Sequence, residues 1–136
     1  MYQAALKRYE SVAKSTLSGR DIEAEVLSKA ALKLTECQTH WDAADRPAKL
    51  DQALRLNQRV WSILQAELGK PENPLPEGIK ESLLRLSAFI DKRIFEIMAY
   101  PSPEKLTVII NINSNIAAGL RTRPALESPG SKAITM

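Results

Sequence analysis

Apolar residues recur at alternating steps of three and four positions through much of the chain, and this spacing constrains the fold more than any other feature. In an α-helix it places the residues on one face, and it is the seam spacing of antiparallel bundles and coiled coils. It therefore predicts packed helices. The seam positions are Leu27, Ala30, Leu34, Cys37 and Trp41 in one segment, and Leu50, Leu54, Asn57, Trp61, Leu64 and Leu68 in the next.

Asn57 is the one polar residue in these two seams. A polar side chain in a seam costs stability unless it is hydrogen-bonded, and it commonly fixes the register of the helices. The sequence therefore leaves two roles open for Asn57. It fixes the register of the helices, or it contacts a partner. The bulky side chains of Trp41 and Trp61 are expected to anchor the core.

Periodicity and helix-capping residues together predict about five helices. They span about residues 2–15, Ser18 to Trp41, Pro47 to Leu68, Glu77 to Ala99 and Leu106 to Leu120. The fold class is therefore all-α, a small antiparallel helical bundle that forms a single domain over residues 1–120. Residues 121–136 contain two prolines, a glycine and no apolar periodicity, so they are expected to form a disordered tail.

The segment from Glu77 to Ala99 carries two apolar stripes instead of one. A helix that is apolar over so much of its circumference is either buried on most sides or covers a groove that something else fills. Both alternatives remain open at this point. One stripe, expected to be core, is Ile79, Leu83, Leu86, Ile90, Ile94 and Ile97, and the other is Leu84, Ala88, Phe95 and Met98.

The segment LTVIININSNIAAGL, Leu106 to Leu120, is ambiguous because its first half alternates and is β-branched like a strand. Ser102, Pro103 and Glu104 in front of it favour a helix, since they supply a cap, a proline for the first turn and an early acid. No second strand is predicted that would pair with it. A helix is therefore the prediction.

The stretch KPENPLPEG, Lys70 to Gly78, holds three prolines and separates two predicted helices. Gly69 suits a helix C-cap, Pro71 prevents continuation, and Pro76 suits the start of the next helix. The stretch is short enough for a turn between antiparallel neighbours. Leu75, between two prolines, is expected to close one end of the bundle, and a contact with a partner there stays open as the alternative.

The charge of the chain is spread in a way that argues against nucleic-acid binding. The net charge is +3, from 19 Lys and Arg against 16 Asp and Glu. Residues 121–136 contribute +2 of it, so residues 1–120 are close to neutral and lack the basic surface that a duplex would need. No apolar run is long enough to cross a membrane and no signal peptide is recognisable. With a single cysteine, Cys37, the expected location is the cytoplasm.

No constellation for catalysis or for a cofactor is found in the sequence. Cys37 and His40 have metal-ligand spacing, but the chain has no second Cys or His to complete a zinc site. The five glycines are scattered, so no phosphate-binding loop is predicted. The chain is therefore not expected to be an enzyme or to hold a metal or cofactor. A helical bundle of this kind is expected to present its surface to another macromolecule.

Several segments resemble the FlaF family of alphaproteobacterial flagellar biosynthesis regulators, over nearly all of residues 1–120. The most specific resemblance lies in Asn57 with Trp61, in NPLP at residues 73–76, in residues 92–97, and in the ending from Asn113 to Leu120. The chain departs from the family pattern at Ser114, where a basic residue is expected, and beyond Arg121.

The resemblance implies a small helical cytoplasmic factor that promotes flagellin synthesis and export. By analogy with other flagellin export chaperones, it implies binding of a terminal helical segment of flagellin, with FlbT as a possible further partner. The alternative is a post-transcriptional regulator that acts on flagellin mRNA, alone or together with FlbT. The candidate partner-binding residues are Leu84, Phe95, Met98, Asn57, Asn113 and Leu75.

Overall fold

The computed structural model describes the backbone of residues 18–127 and the side chains of residues 21–122. This part of the chain is all-α, as predicted from the seam spacing. It contains four α-helices and one short 3-10 helix at Pro103–Lys105. The α-helices are α1, Ser18–Thr39; α2, Arg46–Leu68; α3, Glu77–Ala99; and α4, Leu106–Glu127. The helix predicted at residues 2–15 lies outside the described residues.

Helix α4 continues seven residues beyond the predicted end of the bundle at Leu120, as far as Glu127. The expectation of a tail that loses helical structure from Arg121 onward is therefore wrong for residues 121–127. An α-helix needs no apolar periodicity to continue, and the hydroxyl of Thr122 donates to the carbonyls of Ala118 and Gly119, at 3.3 and 3.2 Å. The remaining tail residues lie outside the described part.

Two compact units make up the described residues, and both helices α1 and α4 contribute to each. Residues 18–29 and 112–127 belong to one unit, in which Ala24, Leu27 and Ala117 are fully buried. Residues 30–111 form the other. The prediction of one domain over residues 1–120 stays a prediction.

The core of the unit formed by residues 30–111 consists of the seam residues that the sequence indicated. Burial of one Leu or Ile side chain contributes about 1.5–3 kcal/mol, so this cluster is the main source of the unit's stability. Trp41 differs from the prediction, since it is half-buried and carries the Arg46 guanidinium 4.0 Å above its ring. The largest side chains that are at most 1% exposed are Leu34, Leu54, Trp61, Ile90, Ile94, Ile97, Leu106 and Ile109.

The proline stretch is a turn that its own polar groups hold together. The side chain of Asn73 accepts a hydrogen bond from the Leu75 amide at 3.0 Å and donates one to the Glu67 carbonyl at 3.1 Å. Helix α3 then begins as the carbonyl of Pro76 accepts from the amides of Ile79 and Lys80. Gly69 is the C-cap of α2, as expected, but its φ of −80° is a conformation that any residue adopts, so the position does not require glycine.

The connection from α3 to α4 is fixed by a side chain of α1. Ser102 has an extended backbone and precedes the 3-10 helix, but its side chain forms no capping hydrogen bond. Gln38 instead donates to the carbonyl of Pro103 at 2.8 Å and to the hydroxyl of Thr107 at 2.9 Å. The segment that was ambiguous from its β-branched residues is helical, with Leu106 and Ile109 fully buried.

Candidate partner-binding face

Helix α3 buries the C-terminal half of the stripe predicted as core, leaves Ile79, Leu83 and Leu86 of that stripe half-buried, and exposes much of the other stripe. Ile90, Ile94 and Ile97 are fully buried. On the other side, Leu84 is 39% exposed, Phe95 is 64% exposed, Ala88 is exposed and Met98 is half-buried. We call Leu84, Ala88, Phe95 and Met98 the outer stripe. Because an α-helix rises 1.5 Å per residue, the outer stripe is about 21 Å long, or about four turns of a partner helix.

A polar contact between α2 and α3 fixes which face of α3 points outward. The side-chain amide of Gln65 donates to the hydroxyl of Ser87, which is fully buried, and to the carboxylate of Asp91 at 3.3 Å. Ser87 and Asp91 are one turn apart on α3. Rotation of α3 about its axis would break both contacts and bury Phe95 at the cost of exposing the isoleucines.

Charged residues lie along one edge of the outer stripe. Glu81, Arg85, Lys92 and Glu96 are exposed, and helix geometry places all four on the same side of Leu84 and Phe95. Glu96 forms an ion pair with Arg93 at 3.3 Å. Arg85 and Lys92 form no ion pair with any of the side chains described in residues 21–122. The edge therefore presents two unneutralised cations beside an apolar stripe.

Arg93 supports this edge from the side away from the outer stripe. Its guanidinium lies 5.4 Å from the centre of the Phe89 ring, and Phe89 is 39% exposed. The Nε atom of Arg93 is buried and makes no hydrogen bond within the described residues. The stacking and the ion pair to Glu96 hold this side chain flat against α3, so it does not reach toward the outer stripe.

Asn57 and Asn113, two of the six candidate contact residues, are fully buried. The amide of Asn57 donates to the carbonyls of Ala30 and Ala53, at 3.2 and 2.9 Å, which is the register role. A side chain without accessible surface has no area to offer a partner, so neither asparagine lies on a contact surface in this structure. Asparagine in a helical seam signals burial with a hydrogen bond, and the sequence left that alternative open.

Leu75 and the remaining exposed apolar residues complete the list of candidates. Leu75 is half-buried at the turn between α2 and α3. Three exposed apolar side chains were missed from the sequence: Leu32 at 53%, Phe89 at 39% and Tyr100 at 76%. The cations Arg85 and Lys92 were also missed, although their separation of seven residues, two helical turns, places them on one face and was a readable signal.

The side chains that could ligate a metal ion are dispersed over the described residues. No group of three or more His, Cys, Asp and Glu residues able to hold a metal ion occurs among them. Burial raises the pKa of the Cys37 thiol, so this side chain is a poor nucleophile and a poor metal ligand near neutral pH. None of the four described helices is long and apolar enough to cross a membrane.

Comparison with known families decides the relationship that the sequence motifs indicated. The family described as flagellar protein FlaF matches residues 5–120. The chain belongs to the FlaF family. Membership makes it a flagellar protein, and the match includes the whole of α1, α2 and α3 and most of α4. No curated protein and no solved structure matches the chain.

Proposed function

We propose that this protein binds a terminal helical segment of flagellin on the outer stripe of α3 and keeps flagellin soluble and unpolymerised before its export. The observation that carries the proposal is the exposure of Leu84 and Phe95 on a helix that buries Ile90, Ile94 and Ile97 completely on another face. Contiguous exposed apolar surface in a soluble domain commonly marks an interaction site. Membership of a flagellar family supports flagellin as the partner.

The shape of the outer stripe fits an amphipathic helix. Such a ligand presents apolar anchors at steps of three, four and seven residues, and Leu84, Ala88, Phe95 and Met98 follow one another at steps of four, seven and three. Ala88 lies between the larger side chains, so a partner side chain fits above it. Phe95, the most exposed member, is the strongest candidate for an energetic anchor, because aromatic residues dominate binding energy at interfaces.

Isothermal titration calorimetry with purified flagellin tests the proposal directly. We expect binding at micromolar or lower concentration and a loss of about 2 kcal/mol or more in Phe95→Glu, with a smaller loss in Leu84→Glu. Because both side chains are partly exposed, the melting temperature should change little. The matched control is Leu32→Glu, which places the same charge at an exposed leucine of α1, and it should bind as the unmodified protein does.

Three results would contradict the proposal. The first is no heat and no co-elution with flagellin at micromolar protein. The second is equal loss of affinity in Leu32→Glu and Phe95→Glu. The third is loss of binding only in proportion to loss of thermal stability, which would make the outer stripe part of the folding core. A stable oligomer that is indifferent to flagellin would instead make the protein a structural scaffold, and light scattering with and without flagellin detects it.

A further inference from the structure

The charged edge of the outer stripe, formed by Glu81, Arg85, Lys92 and Glu96, constrains the charge of the partner, which the apolar residues do not. Of its four charged residues, Glu96 is neutralised by Arg93 at 3.3 Å, whereas Arg85 and Lys92 have no ion-pair partner among the described side chains. Asp91 lies within the outer stripe, between Ala88 and Phe95, and its carboxylate accepts a hydrogen bond from Gln65 on the side that faces α2. Along the edge itself, the charge left over is that of Arg85 and Lys92, against Glu81 alone, and is therefore positive.

The two cations are placed to act on one ligand helix. Arg85 and Lys92 are seven residues apart, which corresponds to about 10 Å along the helix axis and to nearly the same direction around it. A helix lying along α3 has its own residues at the same spacing, so two acidic side chains seven residues apart would face both cations at once. Glu81, farther toward the start of α3, disfavours an acidic residue beyond that pair.

We propose that the outer stripe selects an amphipathic helix with an acidic edge, in which two carboxylates seven residues apart pair with Arg85 and Lys92. This inference rests on the proposed function, because it describes the class of helix that the same site takes. The apolar residues provide most of the affinity, and the cations choose between helices of equal hydrophobicity and set the direction in which the ligand lies. Charge complementarity contributes to specificity and association rate in this way at interfaces generally.

The size of the effect follows from the exposure of both cations. Ion pairs at an exposed edge contribute about 0.2–1 kcal/mol each, and reversal of the charges replaces attraction by repulsion at two positions. A change of about tenfold in affinity is expected for the pair together. Because the pairs are exposed, the preference should fade as the Debye length falls from about 8 Å at 0.15 M salt to about 3 Å at 1 M.

Two synthetic helical peptides of about 20 residues test the inference. Both carry leucines at steps of three and four residues; one has two glutamates seven residues apart beside that stripe, and the other has two lysines at the same positions. Fluorescence anisotropy with the full-length protein should show about tenfold tighter binding of the glutamate peptide at low salt. The double variant Arg85→Glu/Lys92→Glu should reverse the preference. The control Lys33→Glu/Lys49→Glu makes the same change in net charge outside α3 and should keep it.

Each outcome of this experiment separates the inference from the proposed function. Equal binding of both peptides by the unmodified protein, or the same preference after charge reversal, overturns the inference and leaves flagellin binding untouched. If flagellin does not bind but the glutamate peptide does, the acidic-edge preference stands and flagellin is the wrong partner. A dimer of the free protein that persists when the peptide is added would make a second copy the occupant and would overturn the inference as well.

Discussion

Asn57 donates both of its amide protons to backbone carbonyls, one from α1 and one from its own helix. The carbonyl of Ala30 belongs to α1, so this contact joins the two helices at a single register. A one-residue slip would leave a fully buried amide without its acceptor, which costs about 1–3 kcal/mol. Asn57, the one polar residue of the two seams, therefore acts by fixing the register between α1 and α2.

Truncation of this side chain should separate a structural role from a binding role. We expect Asn57→Ala to lower the free energy of unfolding by about 2–3 kcal/mol, because it removes two hydrogen bonds and leaves a cavity. Flagellin affinity, measured at a temperature where the variant is fully folded, should stay within about twofold. Urea denaturation gives the first quantity and calorimetry the second. Asn115→Ala, at an exposed asparagine of α4, is the control and should change stability by about 0.5 kcal/mol or less. A large loss of affinity without loss of stability would return Asn57 to the binding site.

Because of Cys37, the stability of the protein should fall at alkaline pH. The thiol is 6% exposed, and burial raises its pKa above the ordinary value of 9.0, with the Glu36 carboxylate adding to the effect. Above about pH 9 the unfolded chain loses this proton while the folded chain keeps it, so the folded state binds more protons and its stability falls with rising pH. Below that pH the contribution is fully present.

The comparison with Cys37→Ala isolates this contribution from the other groups that titrate at high pH. The difference in free energy of unfolding between the two proteins should be constant from pH 6 to about pH 8 and should shrink by at most about 1.4 kcal/mol per pH unit above about pH 9. Urea denaturation across that range measures it. A difference that grows with pH would mean that the thiolate is stabilised in the fold.

At the scale of elements, the turn between α2 and α3 decides how α3 leaves α2. Asn73 bonds backward to the Glu67 carbonyl and forward to the Leu75 amide, so one side chain joins the end of one helix to the approach of the next. Proline restricts the backbone on both sides of Leu75, which reduces the freedom that the turn must lose on folding. The motif NPLP thus has a structural explanation in its asparagine as well as in its prolines.

Removal of the Asn73 side chain should therefore loosen the turn. We expect Asn73→Ala to lower the free energy of unfolding by about 1–2 kcal/mol, since two hydrogen bonds are lost in a partly buried position. Hydrogen exchange should become faster at the amides of Asn73 and Leu75 and remain unchanged at Ile94 and Ile97. Glu72→Ala, at the exposed neighbour, is the control. Unchanged exchange in the turn would show that the prolines alone hold it.

The sequence was most informative where periodicity and burial coincide. The helix at Glu77–Ala99 was predicted with its observed bounds, and Ile90, Ile94 and Ile97 were predicted as its core face. The exposure of the outer stripe could not be derived, because a second apolar face fits a buried central helix equally well and only the tertiary packing decides. Helix α4 was predicted too short for a related reason, since exposed helical residues such as Thr122 need no apolar spacing.

At the scale of the whole molecule, the distribution of charge provides a way to distinguish flagellin binding from RNA binding. Residues 121–136 hold Arg121, Arg123 and Lys132 against Glu127, which accounts for +2 of the net charge of +3. Aromatic residues, on which single-stranded bases stack, make up 5% of the chain. The surface that carries the apolar stripe is therefore distinct in sequence from the segment that carries the excess positive charge.

The full-length variant Arg121→Gln/Arg123→Gln/Lys132→Gln tests which of the two surfaces the protein uses. Flagellin affinity should stay within about twofold, because none of the three residues belongs to the outer stripe. Any retardation of flagellin mRNA by the unmodified protein at low salt should be lost, since binding that relies on phosphate contacts weakens steeply with each cation removed. Calorimetry and an RNA mobility shift at two salt concentrations measure the pair of effects. If the triple variant kept a salt-sensitive RNA shift and Phe95→Glu abolished it, α3 would be an RNA surface and the flagellin assignment would fall.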